Sequence, residues 1–464
     1  MLIQYLSYSN IFFAACLSLL LAERVWLLLK AAHVASPSKV LDTSELPVVG
    51  IQIPLFNEEV YEGILNASCN MVWPRSKLII QVLDDSTDTA IAAKVSASVH
   101  SKRQAGYNIY LIRRDNRINF KAGALQAGML ALESQGVSYT AIFDADFLPS
   151  PDFLEKTIPY FLAGSHIAFV QARWVYYNQR QSLLTRVQSL LLDFHFRVEQ
   201  PVRSDAGMFL NFNGTAGIWK LSAIRQVGGW SGDTLVEDAD LSVRAYTAGF
   251  KGLYVSDVIC PSQLPSEDKS YRTQQRRWLA GPMQLWKNYC RVARESKATK
   301  MTRISIFWYF ARYLAIPLSA IFYLIFLPLS LWYGQLPIFC CTLWCLYNLC
   351  LSVLQPKSWW LSLLPIVGLE MGIYRALSVL EGLAGLKGSR IWPVTLKHKN
   401  CNARTGTFQL LGLEGFCASA LAAWGATALH TNHHVAALYL LLIAGFTFAI
   451  GVGALSILCK GDID

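Results

Sequence analysis

Four short apolar runs, at 48–54, 77–83, 108–112 and 139–143, are each followed by polar residues and a helical stretch, and a fifth run lies at 166–170. Buried strands alternating with helices in this way pack as a mostly parallel sheet between helical layers. Ligands of such sheets sit beyond the carboxyl ends of the strands. Asp84 and Asp85 close the second run, and Asp144-Ala145-Asp146 closes the fourth. Four carboxylates at one sheet edge constrain this chain more than any single motif does.

Strongly apolar segments bracket the block. Hydrophobic residues make up 53% of the chain and charged residues 16%, an unusual balance for a soluble protein. The stretch 11–29 is interrupted by Glu23 and Arg24, with no basic segment before it and no small-residue cleavage site. It reads as a retained helix rather than a cleaved signal. Segments 304–331, 336–354, 408–429 and 436–458 are each long enough to span a bilayer. Pro365, Glu370, Arg375 and Glu381 mark 358–386 as a segment that lies at the interface rather than crossing. Lys387, Arg390, Lys397, Lys399 and Arg404 then place the following connection in the cytosol.

Charge and parity agree on five spanning helices, with the amino terminus outside and the sheet block cytosolic. The expected organisation is a helix in 1–35, a catalytic domain in 45–298, a helix pair in 302–356, an interfacial helix and loop in 357–406, and a second pair in 407–460. The net charge of +10 is assigned to contacts with anionic lipid and phosphates, not to nucleic acid. The eleven cysteines show no CxxC or Cys/His spacing, so they read as small hydrophobes rather than zinc ligands or disulfides.

Two carboxylates two apart on a strand-to-loop bend, Asp144 and Asp146, can share a hard divalent cation with the oxygens of a diphosphate. Alone, that pattern is also the pattern of a solvated turn. Asp84-Asp85-Ser86-Thr87-Asp88 offers both a helix cap and a ligand for a nucleoside. Lys121 begins a helix, where an ammonium and free amides suit phosphate, although a surface lysine fits the same spacing. Glu237-Asp238 opens another helical run. Asp238 is the candidate base, an ordinary carboxylate ionised at neutral pH, and Glu237 its support; capping of the helix dipole is the plainer alternative. Gln274-x-x-Arg277-Trp278 combines hydrogen-bonding groups for diphosphate or sugar with a flat ring for a pyranose, or is simply an anchored amphipathic helix. His195 has no second histidine at metal spacing and reads as a packed or hydrogen-bonded side chain.

In this combination and order the chain resembles the processive family 2 glycosyltransferases of the cellulose synthase superfamily, most of all the plant cellulose-synthase-like mannan and glucomannan synthases. The likeness runs from Pro54-Leu55-Phe56-Asn57-Glu58 to Trp278-Leu279-Ala280-Gly281-Pro282. It includes Phe169-Val170-Gln171-Ala172-Arg173-Trp174, His195-Phe196-Arg197-Val198-Glu199-Gln200 and Phe212-Asn213-Gly214-Thr215-Ala216-Gly217.

The resemblance implies an α/β GT-A domain, cytosolic, fused to a multi-span helical membrane domain in a plasma, inner or Golgi membrane. It implies donor contacts from Asp84 or Asp85, Lys121, Asp144, Asp146, Gln274 and Arg277, with Mg²⁺ or Mn²⁺ on Asp144 and Asp146. Asp238 would be the base of the TED element, of which only the two acids carry over because Thr234 is displaced. Trp278, Asn213, Gly214 and Thr215 would hold the acceptor. Trp392, Thr395 and Lys397 would form the gating loop, which departs from the family pattern at Trp392 and Leu396.

The implied reaction is an inverting transfer from GDP-mannose or UDP-glucose to a growing β-linked polysaccharide, which the membrane helices then export. A transferase acting once on a lipid acceptor, and a transporter with a cytosolic binding domain, are the competing readings.

Overall fold

The computed structural model describes residues 2–34, 46–164, 166–292, 298–354, 365–385 and 413–451. The apolar runs form β1 (Val49–Leu55), β2 (Leu78–Asp84), β3 (Ile109–Ile112), β4 (Tyr139–Ile142) and β5 (Ile167–Tyr176), joined by β6 (Gly217–Lys220) and β7 (Lys251–Ser262). Their order is β3-β2-β1-β4-β6-β5-β7. Every residue of β2 and β4 is buried, as a sheet covered on both faces requires. Gln52 and Gln81 face each other across β1 and β2. The Gln52 amide donates to Gln81 Oε1 and to the Leu125 carbonyl, each at 3.2 Å.

The sheet is mostly parallel, as expected, and is made mixed by one strand. β1 to β4 pair in parallel, but β6 runs antiparallel to both β4 and β5. The reason lies in the preceding loop. Asn213-Gly214-Thr215 crosses the carboxyl end of β4, where Thr215 Oγ1 accepts from the Asp144 amide at 2.8 Å. A strand that starts at that edge can only run back along β4.

The carboxyl edge is also where the backbone is most constrained. Asn57, Asn119, Phe120 and Ala216 all have positive φ in the loops that surround it. Such conformations cost roughly 1–3 kcal/mol each and persist where the surroundings over-determine them. Below the sheet domain, the helix Asp268–Val292 carries the QxxRW residues. It packs closely against the helix Pro365–Ala384: a Cβ on Gly382 would meet the Ala280 carbonyl, and Arg276 forms a two-pronged ion pair with Glu381.

Among the described residues, two helices are long and apolar enough to cross a membrane, Ile3–Ala31 and Lys300–Trp332. Ile338–Cys350 and His434–Ala444 are apolar but shorter. Glu23 and Arg24, which interrupt the first apolar stretch, are both engaged by protein. Glu23 accepts from Arg203 at 3.1 Å, and Arg24 donates to the Tyr347 carbonyl and stacks on the Tyr347 ring.

Candidate active site

The strand ends and the helix Asp268–Val292 enclose a cavity of about 200 Å³. Phe56 and Glu58 line it after β1, Asp85 after β2, Asp144 and Asp146 after β4, and Gln274, Arg277 and Trp278 from the helix. A second cavity, of about 310 Å³, is lined by His195, Tyr271, Tyr309, Tyr313 and Arg375. Asn213, Asp238, Gln274 and Trp278 border both. At Gly281 a Cβ would stand 2.5 Å from Val236 Cγ1, so that glycine lets the helix bearing Trp278 lie directly on the segment that leads into Glu237 and Asp238.

Lys121 is the electrostatic centre. Its Nζ lies 2.5 Å from Asp144 Oδ1, 3.0 Å from the Gly214 carbonyl and 4.0 Å from Glu237 Oε1. Burial opposes the charge, but Asp144 and Glu237 outweigh it and hold the ammonium above its usual range. Burial lowers Arg277 despite Glu237, Asp144, Asp238 and Glu58 nearby; a guanidinium stays charged all the same.

Asp238 differs from the ordinary carboxylate expected of it. Burial, reinforced by Glu237, pushes it up to about 7, and Glu237 is raised as well, chiefly by burial. A base poised near the working pH is well matched to moving a hydroxyl proton. One oxygen of Asp238 accepts from the Ala239 amide at 2.8 Å, which fixes the carboxylate at the start of its helix.

Of the sequence-predicted residues, Asp85, Lys121, Asn213, Gly214, Asp144, Asp146, Glu237, Asp238, Gln274, Arg277 and Trp278 come together around this cavity. Two do not. Asp84 is buried and pairs with Arg113 at 2.8 Å, while its other oxygen accepts from the Ser86 amide; it stands behind Asp85 rather than in the cavity. Thr215 is buried beneath the loop, on the Asp144 amide, and lines neither cavity. The cap of the helix Thr89–Gln104 is Asp88, which accepts from Ala90 and Ile91. Trp392, Thr395 and Lys397 lie outside the described residues.

Sequence reasoning missed Arg114, whose guanidinium grips both oxygens of Asp85, and Arg117, which lies 3.3 Å over the Phe56 ring and lines the cavity. Both follow β3, so the strand-end rule that singled out the acids would have found them. Asp146 is braced from β7, accepting from the Ser262 hydroxyl and the Gln263 amide. No group of three or more His, Cys, Asp or Glu side chains suited to a metal occurs among the described residues. A cation here would rest on Asp144 and Asp146 and need oxygens from its ligand, which is how a hard divalent ion binds a diphosphate.

Residues 51–217 match the profile described as Glycosyl transferase family 2, and residues 139–369 that of Glycosyl transferase family group 2. Glucomannan 4-beta-mannosyltransferase 1 of Oryza sativa subsp. japonica is 41% identical over 369 residues, 78% of this chain and 71% of that protein. Glucomannan 4-beta-mannosyltransferase 2 of Arabidopsis thaliana is 43% identical over 296 residues, 63% of this chain and 55% of that protein. A probable glucomannan 4-beta-mannosyltransferase 11 of Arabidopsis thaliana is 38% identical over 374 residues, 77% of this chain and 83% of that protein. Among solved structures, the mannosyltransferase PcManGT from Pyrobaculum calidifontis, in complex with GDP-Man and Mn²⁺, superposes with a TM-score of 0.59 at 19% identity. The match covers 82% of this chain and all of that one, and the likeness is one of fold.

Proposed function

The chain belongs to the family 2 glycosyltransferases, and from that premise we propose that it polymerises mannose from GDP-mannose into a β-1,4-mannan or glucomannan at a membrane surface. One observation carries the reading. Asp238 stands where two cavities meet, with the cations Lys121 and Arg277 on one side and the Trp278 ring bordering both. The names of the rice and Arabidopsis relatives favour mannose over glucose as the sugar.

In this reading Asp85, Arg114 and Arg117 face the nucleoside, and Lys121, Gln274 and Arg277 face the diphosphate. Asp144 and Asp146 hold Mg²⁺ or Mn²⁺, which would supply further charge neutralisation on the diphosphate. Trp278, Asn213 and Gly214 hold the acceptor sugar in the second cavity. Asp238 takes the proton of an acceptor hydroxyl as that oxygen forms its bond to the anomeric carbon. The bond from that carbon to the phosphate oxygen breaks, and its electron pair leaves with the nucleoside diphosphate. Attack opposite the leaving group inverts the configuration and gives a β-linkage from an α-linked donor. Lys121 and Arg277, fixed before the reaction, stabilise the charge gathering on the leaving group.

The helices Ile3–Ala31 and Lys300–Trp332, with the shorter apolar helices and the interfacial helix Pro365–Ala384, form the multi-pass membrane domain in this proposal. Tyr309 and Tyr313, on the second of these helices, line the second cavity, which makes that cavity the start of the route by which the polymer leaves. The gating role of Trp392, Thr395 and Lys397 belongs to the same proposal.

The test is sugar transfer by the purified protein in detergent with Mn²⁺ or Mg²⁺, with labelled GDP-mannose and UDP-glucose offered separately. A polymer from GDP-mannose that mannanase digests supports the reading. A glucanase-sensitive polymer from UDP-glucose alone replaces the donor, and a labelled lipid without polymer overturns the processive assignment.

A further inference from the structure

His195 borders the second cavity, and the mechanism above does not use it. It opens the π-helical turn His195–Glu199, a widened turn of the kind that recurs at functional positions. Its Nδ1 lies 3.0 Å from Glu199 Oε2. Glu199 is buried and is also held by Arg203 Nε at 2.8 Å and by the Arg312 guanidinium at 2.5 Å. Arg203 in turn reaches Glu23 on the first helix. Burial works against the Glu199 charge, but Arg312, Arg203 and His195 outweigh it and hold the carboxyl well below its usual range.

An ionised carboxylate beside Nδ1 keeps the ring proton there and leaves Nε2 as an acceptor. Gln200 Nε2 donates to that nitrogen at 2.8 Å, and the same amide nitrogen lies 3.4 Å from Asn213 Oδ1. The Asn213 main-chain amide is fixed separately, by Gln171 Oε1 at 2.9 Å. With its carbonyl oxygen turned to the Gln200 amide, the side-chain nitrogen of Asn213 is buried without a hydrogen-bond partner in the protein. Asn213 borders both cavities, as does Asp238.

We propose that His195 is a positioning residue for glycosyl transfer: oriented by Glu199, it fixes through Gln200 the amide of Asn213, whose N–H groups then face a hydroxyl of the acceptor sugar beside Asp238. This rests on the glycosyltransferase reading above. The plainer alternative is a histidine satisfied by its neighbours with no bearing on the acceptor. Against it stands the chain of oriented groups, which runs from Glu23 and Arg312 on the two apolar helices to a donor at the junction of the cavities.

The test uses the full chain in detergent with GDP-mannose, with and without a β-1,4-mannotetraose acceptor, and compares His195→Ala, His195→Gln, Asn213→Ala and the His195→Ala/Asn213→Ala double variant. A small displacement of a positioning group can cost about 10²-fold, so His195→Ala should lose roughly 10- to 100-fold in transfer to the acceptor. Release of GDP to water and the KM for GDP-mannose should stay close to wild type. Glutamine, with a donor and an acceptor in place of the two ring nitrogens, should restore most of the transfer. The double variant should be no slower than Asn213→Ala alone, as expected of residues acting in one chain. Equal loss of hydrolysis and transfer, no rescue by glutamine, or losses that multiply in the double variant would overturn the proposal. Should His195→Ala not fold, an Asn213→Ala protein with an unchanged ratio of transfer to hydrolysis overturns it too. A wild-type protein that turns over neither GDP-mannose nor UDP-glucose would instead overturn the underlying reading.

Discussion

A Cβ placed on Gly214 would stand 3.1 Å from Oδ2 of Asp238. The loop glycine and the proposed base are therefore in van der Waals register, and φ at Gly214 is +80°, a conformation that only glycine adopts without strain. Gly214→Ala should shift the carboxylate and lower kcat roughly 10²-fold, since reacting groups tolerate little displacement. Its thermal stability should fall only modestly. Wild-type kcat in a folded Gly214→Ala protein would show that the contact does not position Asp238.

Asp238 links activity and stability to pH with opposite signs. Transfer needs it ionised, so the rate should climb as pH rises through about 7 and be absent at every pH in Asp238→Asn. For stability, its folded pKa is raised above that of the unfolded chain. The contribution is therefore full below the ordinary aspartate range and lost as pH rises through the folded value. Asp238→Asn should melt higher than wild type above pH 7, by roughly 2–4 °C for each kcal/mol regained, and equally near pH 4. A thermal-shift series across pH checks this, and equal melting at pH 8 would contradict the raised carboxyl.

Removal of divalent cations with EDTA should stop transfer, and Mn²⁺ or Mg²⁺ should restore it. Asp144→Asn should lose roughly 10²–10³ in kcat, the scale of losing one preorganised electrostatic contact, with little change in melting temperature. Asp146→Ala should lose activity and also melt lower, because Asp146 ties β4 to Ser262 and Gln263 of the β7 end. A titration of activity against Mn²⁺ for each variant checks the pair. Wild-type cation dependence in Asp144→Asn would remove that residue from the cation site.

Trp278→Ala should impair elongation more than release of GDP to water, because the ring borders the second cavity as well as the first. Chain length of the product against total GDP released is the measurement. Equal losses in both would mean that Trp278 does not hold the acceptor.

The sequence determined which segments become β1 to β5, though not β6 and β7, and where much of the chemistry gathers. Continuous apolar runs can only be buried, and acids that follow them lie at the sheet's carboxyl edge, so the positions of Asp85, Asp144 and Asp146 followed from local pattern alone. The Gln274, Arg277 and Trp278 spacing likewise follows from helical geometry, one turn on one face.

The tertiary structure decided what adjacency conceals. Asp84 and Asp85 are chemically identical neighbours, and successive residues at a strand end point to opposite sides. Only the placement of Arg113 and Arg114 determines that the first is buried in an ion pair and the second faces the cavity. Thr215 turns inward because its loop crosses the carboxyl end of β4, where its hydroxyl accepts from the Asp144 amide. The cluster around His195 is completed only by Glu23 and Arg312, which come from the two apolar helices rather than from the helical stretch that carries His195, Glu199 and Arg203. A carboxyl raised to about 7 at Asp238 depends on desolvation by that whole surrounding, a quantity that no local stretch of sequence carries.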